Sequence, residues 1–184
     1  MMAEFEPCFN KVIMLEGGYN LHEVPGDRGG MTYAGIARNR WQKWSGWGKV
    51  DAGDYDSDLT SMVRIFYKEN FWDRIKGDDI EAQDVAYHLY AFSINAGLRV
   101  AVRIAQRIIG ATPDGVFGEK SFSLLNGLIQ DEKDEKIFVL MFNLMKIFRY
   151  KDICMNDRRR GNDRLVSNQK FLCGWINRVQ GGLK

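Results

Sequence analysis

Phe5-Glu6-Pro7-Cys8-Phe9-Asn10-Lys11-Val12-Ile13-Met14-Leu15-Glu16-Gly17-Gly18-Tyr19 is the stretch around which the chain is organised. Wound at about 100° per residue, Phe5, Phe9 and Val12 fall on one narrow face, so Phe5 to Leu15 reads as an amphipathic helix. Glu16 lies in the middle of that apolar arc and not on the polar side. Two glycines follow at once and stop the helix there. Apolar surroundings and the negative end of the helix dipole both disfavour a charged carboxylate. A Glu in this place suits a protein that needs a carboxylic acid still holding its proton near neutral pH. The alternative is a Glu whose head reaches out to water from a helix end.

The rest of the composition narrows the choices. A chain of 184 residues with 45% hydrophobic residues builds one ordinary domain, or one domain with a closely attached second lobe. The formal charge of +2 does not mark a nucleic-acid binder. It is unevenly spread, since residues 146–184 hold ten Lys/Arg against three Asp/Glu, while residues 1–145 hold 16 against 21. A basic C-terminal part suits an acidic surface such as nucleic acid, anionic lipid or an anionic wall polymer, or is a solvated face. Cys8, Cys154 and Cys173 have neither disulfide nor zinc spacing and read as free, buried thiols. The first residues lack a basic and then apolar leader, and no apolar run is long enough to span a membrane. The chain is therefore expected to be made in the cytoplasm without a signal peptide, so that work outside needs another exit.

Downstream, residues 17–35 are rich in Gly and Pro, and only Met31-Thr32-Tyr33 offers a short strand, one arm of a small hairpin. The pattern predicts a helix from Ile36 to about Trp44, stopped by Ser45-Gly46-Trp47-Gly48. An acidic loop over 49–58 follows, then a helix from Leu59 to Trp72 with Asp58 as its cap. Further helices are expected at 80–96, 100–110 and 118–128. The longest runs over 132–151 with Ile137, Leu140, Met141, Leu144, Ile147 and Phe148 on its buried side. A polar loop carrying Arg158-Arg159-Arg160 precedes a last helix, Asn168 to about Val179. The fold class is mainly α, with at most a small β-hairpin near residues 20–35.

Several constellations invite chemistry. Asp54-x-Asp56-x-Asp58 fails as a calcium loop, because the positions that need Gly and Glu are Leu59 and Ile65. No metal or cofactor is expected. Trp41, Trp44 and Trp47 at every third residue read as helix-packing surface, with a stacking platform for a ring-shaped ligand as the alternative. The triple arginine lacks interleaved aromatics and is a weak nucleic-acid signal. Asp27 with Gly29-Gly30 makes an Asx-type turn, yet the same glycines would let backbone approach a ligand while Asp27 and Thr32 present oxygens to it. Placed after an apolar-face Glu, that turn can be the second half of a cleft. A protonated acid facing a second polar group is what glycosidic cleavage requires: the acid protonates the leaving oxygen, and its partner positions water or steadies positive charge on the sugar.

Glu16-Gly17-Gly18-Tyr19 and Asp27-Arg28-Gly29-Gly30-Met31-Thr32-Tyr33-Ala34-Gly35-Ile36 resemble the motifs of the glycoside hydrolase family 108 peptidoglycan muramidases, which include phage-type endolysins and bacterial secretion activators. Tyr67 with Phe71-Trp72 and Ser93-Ile94-Asn95-Ala96-Gly97 continue the resemblance. Asp114-Gly115-Val116-Phe117-Gly118 and Gly174-Trp175-Ile176-Asn177-Arg178 resemble the attached peptidoglycan-binding part. The resemblance implies a lysozyme-like helical fold, with a catalytic region over 1–97 and a helical wall-binding region over 98–184 packed on it. It implies hydrolysis of the β-1,4 bond between N-acetylmuramic acid and N-acetylglucosamine, with Glu16 as acid and Asp27, helped by Thr32, as the second group. Tyr19, Gly29, Gly30, Trp72 and Asn95 would then touch substrate. Ala91 stands where the family has an acidic residue and Phe71 where it more often has Tyr, so those two roles do not carry over. The implied partners are peptidoglycan glycan strands and a holin or secretion apparatus, with the work done at the cell wall after non-standard export. A lytic transglycosylase and a non-catalytic wall-binding secretion accessory are the competing readings.

Overall fold

The computed structural model describes residues 2–23, 30–159, 174–177 and 179, the side chains of 156–159 excepted. The chain divides into two compact units, Met1–Leu98 and Arg99–Lys184. Helices dominate the described residues, and one small antiparallel sheet accompanies them.

In the first unit α1 spans Phe5–Leu15 and buries Phe5, Cys8, Phe9, Val12 and Ile13, the face that the wheel predicts. Three two-residue strands follow: β1 (Leu21–His22), β2 (Thr32–Tyr33) and β3 (Ile36–Ala37), paired in the order β1-β2-β3. The third strand corrects the expected helix from Ile36 to Trp44. Ala34 and Gly35 both take positive φ (48° and 77°), which is the two-residue turn that reverses a hairpin. Ile36 therefore pairs with Tyr33 and cannot start a helix. Residues 38–46 continue as a series of turns, and the next helix, α2, begins at Trp47 and runs to Ala52.

α3 covers Ser57–Tyr67. Its cap is Asp56, not the expected Asp58: the Asp56 carboxylate accepts from the Leu59 amide at 2.9 Å. Lys49 binds Asp54 and Asp56 at 2.9 and 2.6 Å, so the acidic loop is tied to a lysine. α3 runs on into a single π-helical turn, Lys68–Trp72. Short 3-10 turns then lead to α4, Gln83–Ala96, which buries Val85, Ala86, Leu89, Tyr90 and Phe92. Phe5, Phe9, Tyr67, Trp72 and Tyr90 interlock at centroid distances of 5.4–6.0 Å and form the aromatic heart of the unit. Each such ring contributes about 2–3 kcal/mol of burial.

The second unit holds α5 from Leu98 to Ile108, α6 (Glu119–Leu128) and α7 (Glu132–Arg159). Its organising residue is Gln106 on α5, which is 1% exposed. The Gln106 amide donates to Asp114 Oδ1 (2.8 Å), the Val116 carbonyl (3.0 Å) and Ser121 Oγ (3.1 Å). Its oxygen accepts from the Gly115 amide at 2.9 Å. The Asp114-to-Gly118 motif is thus a clasped turn. α7 departs from expectation in length and in face. It continues through Arg159, so Arg158 and Arg159 sit on a helix, while Arg160 and most of the expected helix from Asn168 lie outside the described residues. The side it buries carries Phe138, Phe142, Asn143, Lys146 and Tyr150, whereas Ile137, Leu140, Met141, Leu144, Ile147 and Phe148 are each more than 40% exposed. Apolar residues run nearly all round this helix, and periodicity alone does not choose between its stripes. Cys8 is a buried free thiol raised to about 11 by burial, Cys154 is a half-buried one, and Cys173 lies outside the described residues.

Gln106→Ala leaves the Gly115 amide and Asp114 without their buried partner and is expected to destabilise the chain by about 2–4 kcal/mol, measured by urea unfolding. Lys146 supplies a second test. Burial lowers its ammonium to about 7, far below the roughly 10.4 of an unfolded lysine. Between those values the unfolded chain binds more protons than the folded one, so stability should rise with pH from 7 towards 10. Lys146→Met should abolish that rise and stabilise the chain at pH 7, as read from urea midpoints across the range.

Candidate active site

Glu16 is the C-cap of α1, with φ −80° and ψ 4°, and its amide still donates to the Val12 carbonyl at 2.9 Å. Gly17 and Gly18 take φ of 93° and 74°, which a side chain would resist, and their amides return to Met14 and Ile13. Helix and chain reversal together fix Glu16 at a defined point, half-buried. Asn20 secures the reversal by donating to the Gly17 carbonyl at 2.5 Å.

The opposite wall is the β2–β3 turn. A Cβ built on Gly35 would lie 2.4 Å from the Tyr67 hydroxyl and 3.0 Å from the Glu16 Cβ, so only glycine lets the turn approach this closely. Tyr67, 1% exposed, donates its hydroxyl to the Ala34 carbonyl at 2.9 Å and holds a non-glycine residue in the left-handed region. Burial first, then the Glu16 charge, then the Tyr19 phenol push the Tyr67 hydroxyl far above its ordinary value. It therefore remains a donor at every physiological pH. Tyr19 is partly exposed, and its own hydroxyl is raised by burial and by the Glu6 charge. Glu16, Tyr19, Gly35 and Tyr67 thus form one cluster.

The other sequence-derived residues distribute unevenly. Thr32 stands on β2, half-buried, and donates to the Gly30 carbonyl at 3.2 Å. Gly30 takes φ 63° and faces the Asn39 side chain, which a Cβ would strike at 2.8 Å. Asp27 and Gly29 lie outside the described residues. Asn95 is half-buried near the end of α4. Trp72 needs correction as a substrate contact. It is 0% exposed, its indole N–H donates to Asp78 at 2.6 Å, and the Gly77 backbone lies against its ring. A ring enclosed in this way is core and has no face for a sugar. Tyr67 and Gly35 are the members of this cluster that motif reading quoted without giving them a role. The signal for Tyr67 was a phenol on the buried side of a helix, whose hydroxyl must find a partner. Among the described residues no group of three His, Cys, Asp or Glu is placed to hold a metal.

A half-buried carboxyl beside a permanent donor and a rigid turn is suited to giving a proton to a bound oxygen. Residues 9–97 match the family model described as glycosyl hydrolase 108. These residues belong to the glycosyl hydrolase 108 family. Residues 100–180 match the model described as a predicted peptidoglycan domain. The chain is therefore a glycoside hydrolase that acts on peptidoglycan, and Glu16 lies inside its glycosyl hydrolase 108 region. The solved structure of Brucella abortus SagA shares the fold, with a TM-score of 0.67 and 24% identity over 97% of this chain and 92% of that one. No curated protein matches the chain by sequence.

Gly35→Ala tests the approach of the two walls in this glycosyl hydrolase 108 region. It forces a Cβ onto Tyr67 and Glu16 at a left-handed φ, and should cost about 2–4 kcal/mol of stability. Peptidoglycan turnover by the folded fraction should fall about 10²-fold, because the Glu16 carboxyl is displaced. Thermal melts and turbidity clearing measure the two effects separately.

Proposed function

We propose that the chain is a muramidase, hydrolysing the β-1,4 bond between N-acetylmuramic acid and N-acetylglucosamine with Glu16 as general acid. The observation that carries this reading is the placement of Glu16, at the glycine-terminated end of α1 against the Gly35 turn and Tyr67. In the proposed reaction the Glu16 carboxyl protonates the glycosidic oxygen as the C–O bond breaks, and positive charge develops on the departing sugar ring. Asp27, helped by Thr32 of β2, is proposed to orient the attacking water or to face that charge. The water adds to the sugar carbon and its proton passes to a base, which completes hydrolysis and leaves a reducing end. Tyr19, Gly29, Gly30 and Asn95 are proposed to contact the glycan.

The charge asymmetry fits this reading, since a basic C-terminal part suits an anionic wall polymer. We place the work at the cell wall, reached by non-standard export through a holin or secretion apparatus, in lysis or in passage of proteins through the wall.

Glu16→Gln is nearly isosteric and cannot donate the proton. It should fold as the parent does and lose about 10²–10⁴-fold in turnover on purified peptidoglycan, read by zymogram. Equal clearing by the two proteins would sink the assignment of Glu16. Mass spectrometry of the fragments decides the reaction: reducing muramic ends support hydrolysis, while anhydro-muramic ends replace it with the transglycosylase reaction.

A further inference from the structure

The turns of residues 38–46 and the outer face of α3 line an open cavity of about 660 Å³, within the range of small-ligand sites. None of Glu16, Tyr19, Gly35 or Tyr67 lines it. Its walls carry Trp41, Trp44, Phe66 and Met62, and its rim carries Arg40, Gln42, Lys43, Glu69 and Asn70. We propose that this cavity is a second glycan site, which takes an N-acetylated hexose unit of the strand beside the residues that cut it. The ligand class rests on the function proposed above.

Three features favour a sugar. Both indoles are half-buried and held at set angles: Trp41 stands edge-on to Phe66 at 4.9 Å, and Trp44 stacks on Tyr33 at 6.4 Å and 18°. Oriented flat rings with little freedom to lose suit the apolar faces of pyranoses. The rim carries Arg40, Lys43 and Glu69 with two planar amides, one positive charge in excess, so it offers donors and acceptors to hydroxyl and acetamido groups. Finally, the π-helical turn Lys68–Trp72 lies at this wall, and Asn70 is fixed in it by donating to the Phe66 carbonyl at 2.8 Å. Such turns widen the backbone and recur at functional sites. Trp47, the third member of the tryptophan series, is 4% exposed and donates to the Trp41 carbonyl at 2.8 Å, so it supports the loop and does not meet a ligand.

The geometry also ties this cavity to the acid. Phe66 forms part of its wall, and the next residue, Tyr67, holds the turn against Glu16. A strand lying across Trp41 and Trp44 would therefore be anchored by the same turn of α3 that sets the cutting point.

The test is a titration of the full ¹⁵N-labelled chain with the tetramer of N-acetylglucosamine, following the tryptophan indole N–H resonances. The Trp41 and Trp44 signals should move and saturate, while Trp72 in the core stays still. Trp41→Ala should weaken binding about tenfold or more. Glu69→Ala, a change at an exposed rim position, should weaken it less and serves as the variant that leaves the aromatic packing untouched. A tetramer that binds without moving Trp41 and Trp44, or binding only by an acidic stem peptide, would overturn the proposal. Peptidoglycan clearing by the intact protein without these shifts rejects this site and leaves the muramidase reading standing. Shifts without clearing do the reverse.

Discussion

One buried hydrogen bond, from the Tyr67 hydroxyl to the Ala34 carbonyl, sets the position of the small sheet against the helices. It joins residues 33 apart in sequence and lies in an environment that keeps the phenol protonated. Ala34 adopts a left-handed conformation that costs a non-glycine residue about 1–2 kcal/mol, so a fixed partner for its carbonyl matters there. The turn so held carries Gly35 to within contact of Glu16. Sheet, α3 and the end of α1 therefore meet at one point, and the carboxyl sits at that point.

Much of this was legible in the sequence because it depends on local chemistry. The apolar face of α1 follows from Phe5, Phe9 and Val12, and its end from two glycines. The position of Glu16 then follows without any tertiary information. What was not legible depends on contacts made far along the chain. Ile36 to Trp44 has a helical spacing of apolar residues, but Ala34 in a left-handed turn pairs Ile36 with Tyr33, and the tryptophans pack on Phe66 and Tyr33 from a non-helical loop. Trp72 was expected as a sugar contact because the resemblance implied it; the fold shows Gly77 closed over it. Asp58 was the expected cap of α3, and the backbone geometry gives that place to Asp56.

α7 shows the same limit more sharply. Its exposed stripe from Ile137 to Phe148 is as apolar as its buried one, which includes Lys146 and Asn143. Burying a lysine is unfavourable unless its stem packs and its head finds a partner, and here the ammonium donates to Asn143 at 2.9 Å and lies over the Phe142 ring at 5.0 Å. A count of hydrophobic residues ranks the wrong stripe as the inner one. The Gln106 clasp is hidden for a similar reason. A glutamine on an apolar helix face gives no hint that four of its hydrogen bonds close the Asp114-to-Ser121 segment, although the resemblance had already drawn attention to the Asp114-Gly115 turn.

These features bear on how the enzyme divides its tasks. The proposed acid needs a fixed position and a partly desolvated setting, and both come from backbone devices: a glycine stop, a left-handed turn and a buried phenol. None of the three needs to touch substrate. Contact with a long polymer makes a different demand, for oriented flat surfaces and mixed polar edges open to solvent. The tryptophan loop meets it on the neighbouring face of α3. Because Phe66 and Tyr67 are consecutive, a change in the register of α3 would move both places together. The π-helical turn that follows Tyr67 shifts that register only beyond the residues that matter, so Asn70 and Glu69 can face the cavity without disturbing the bond to Ala34.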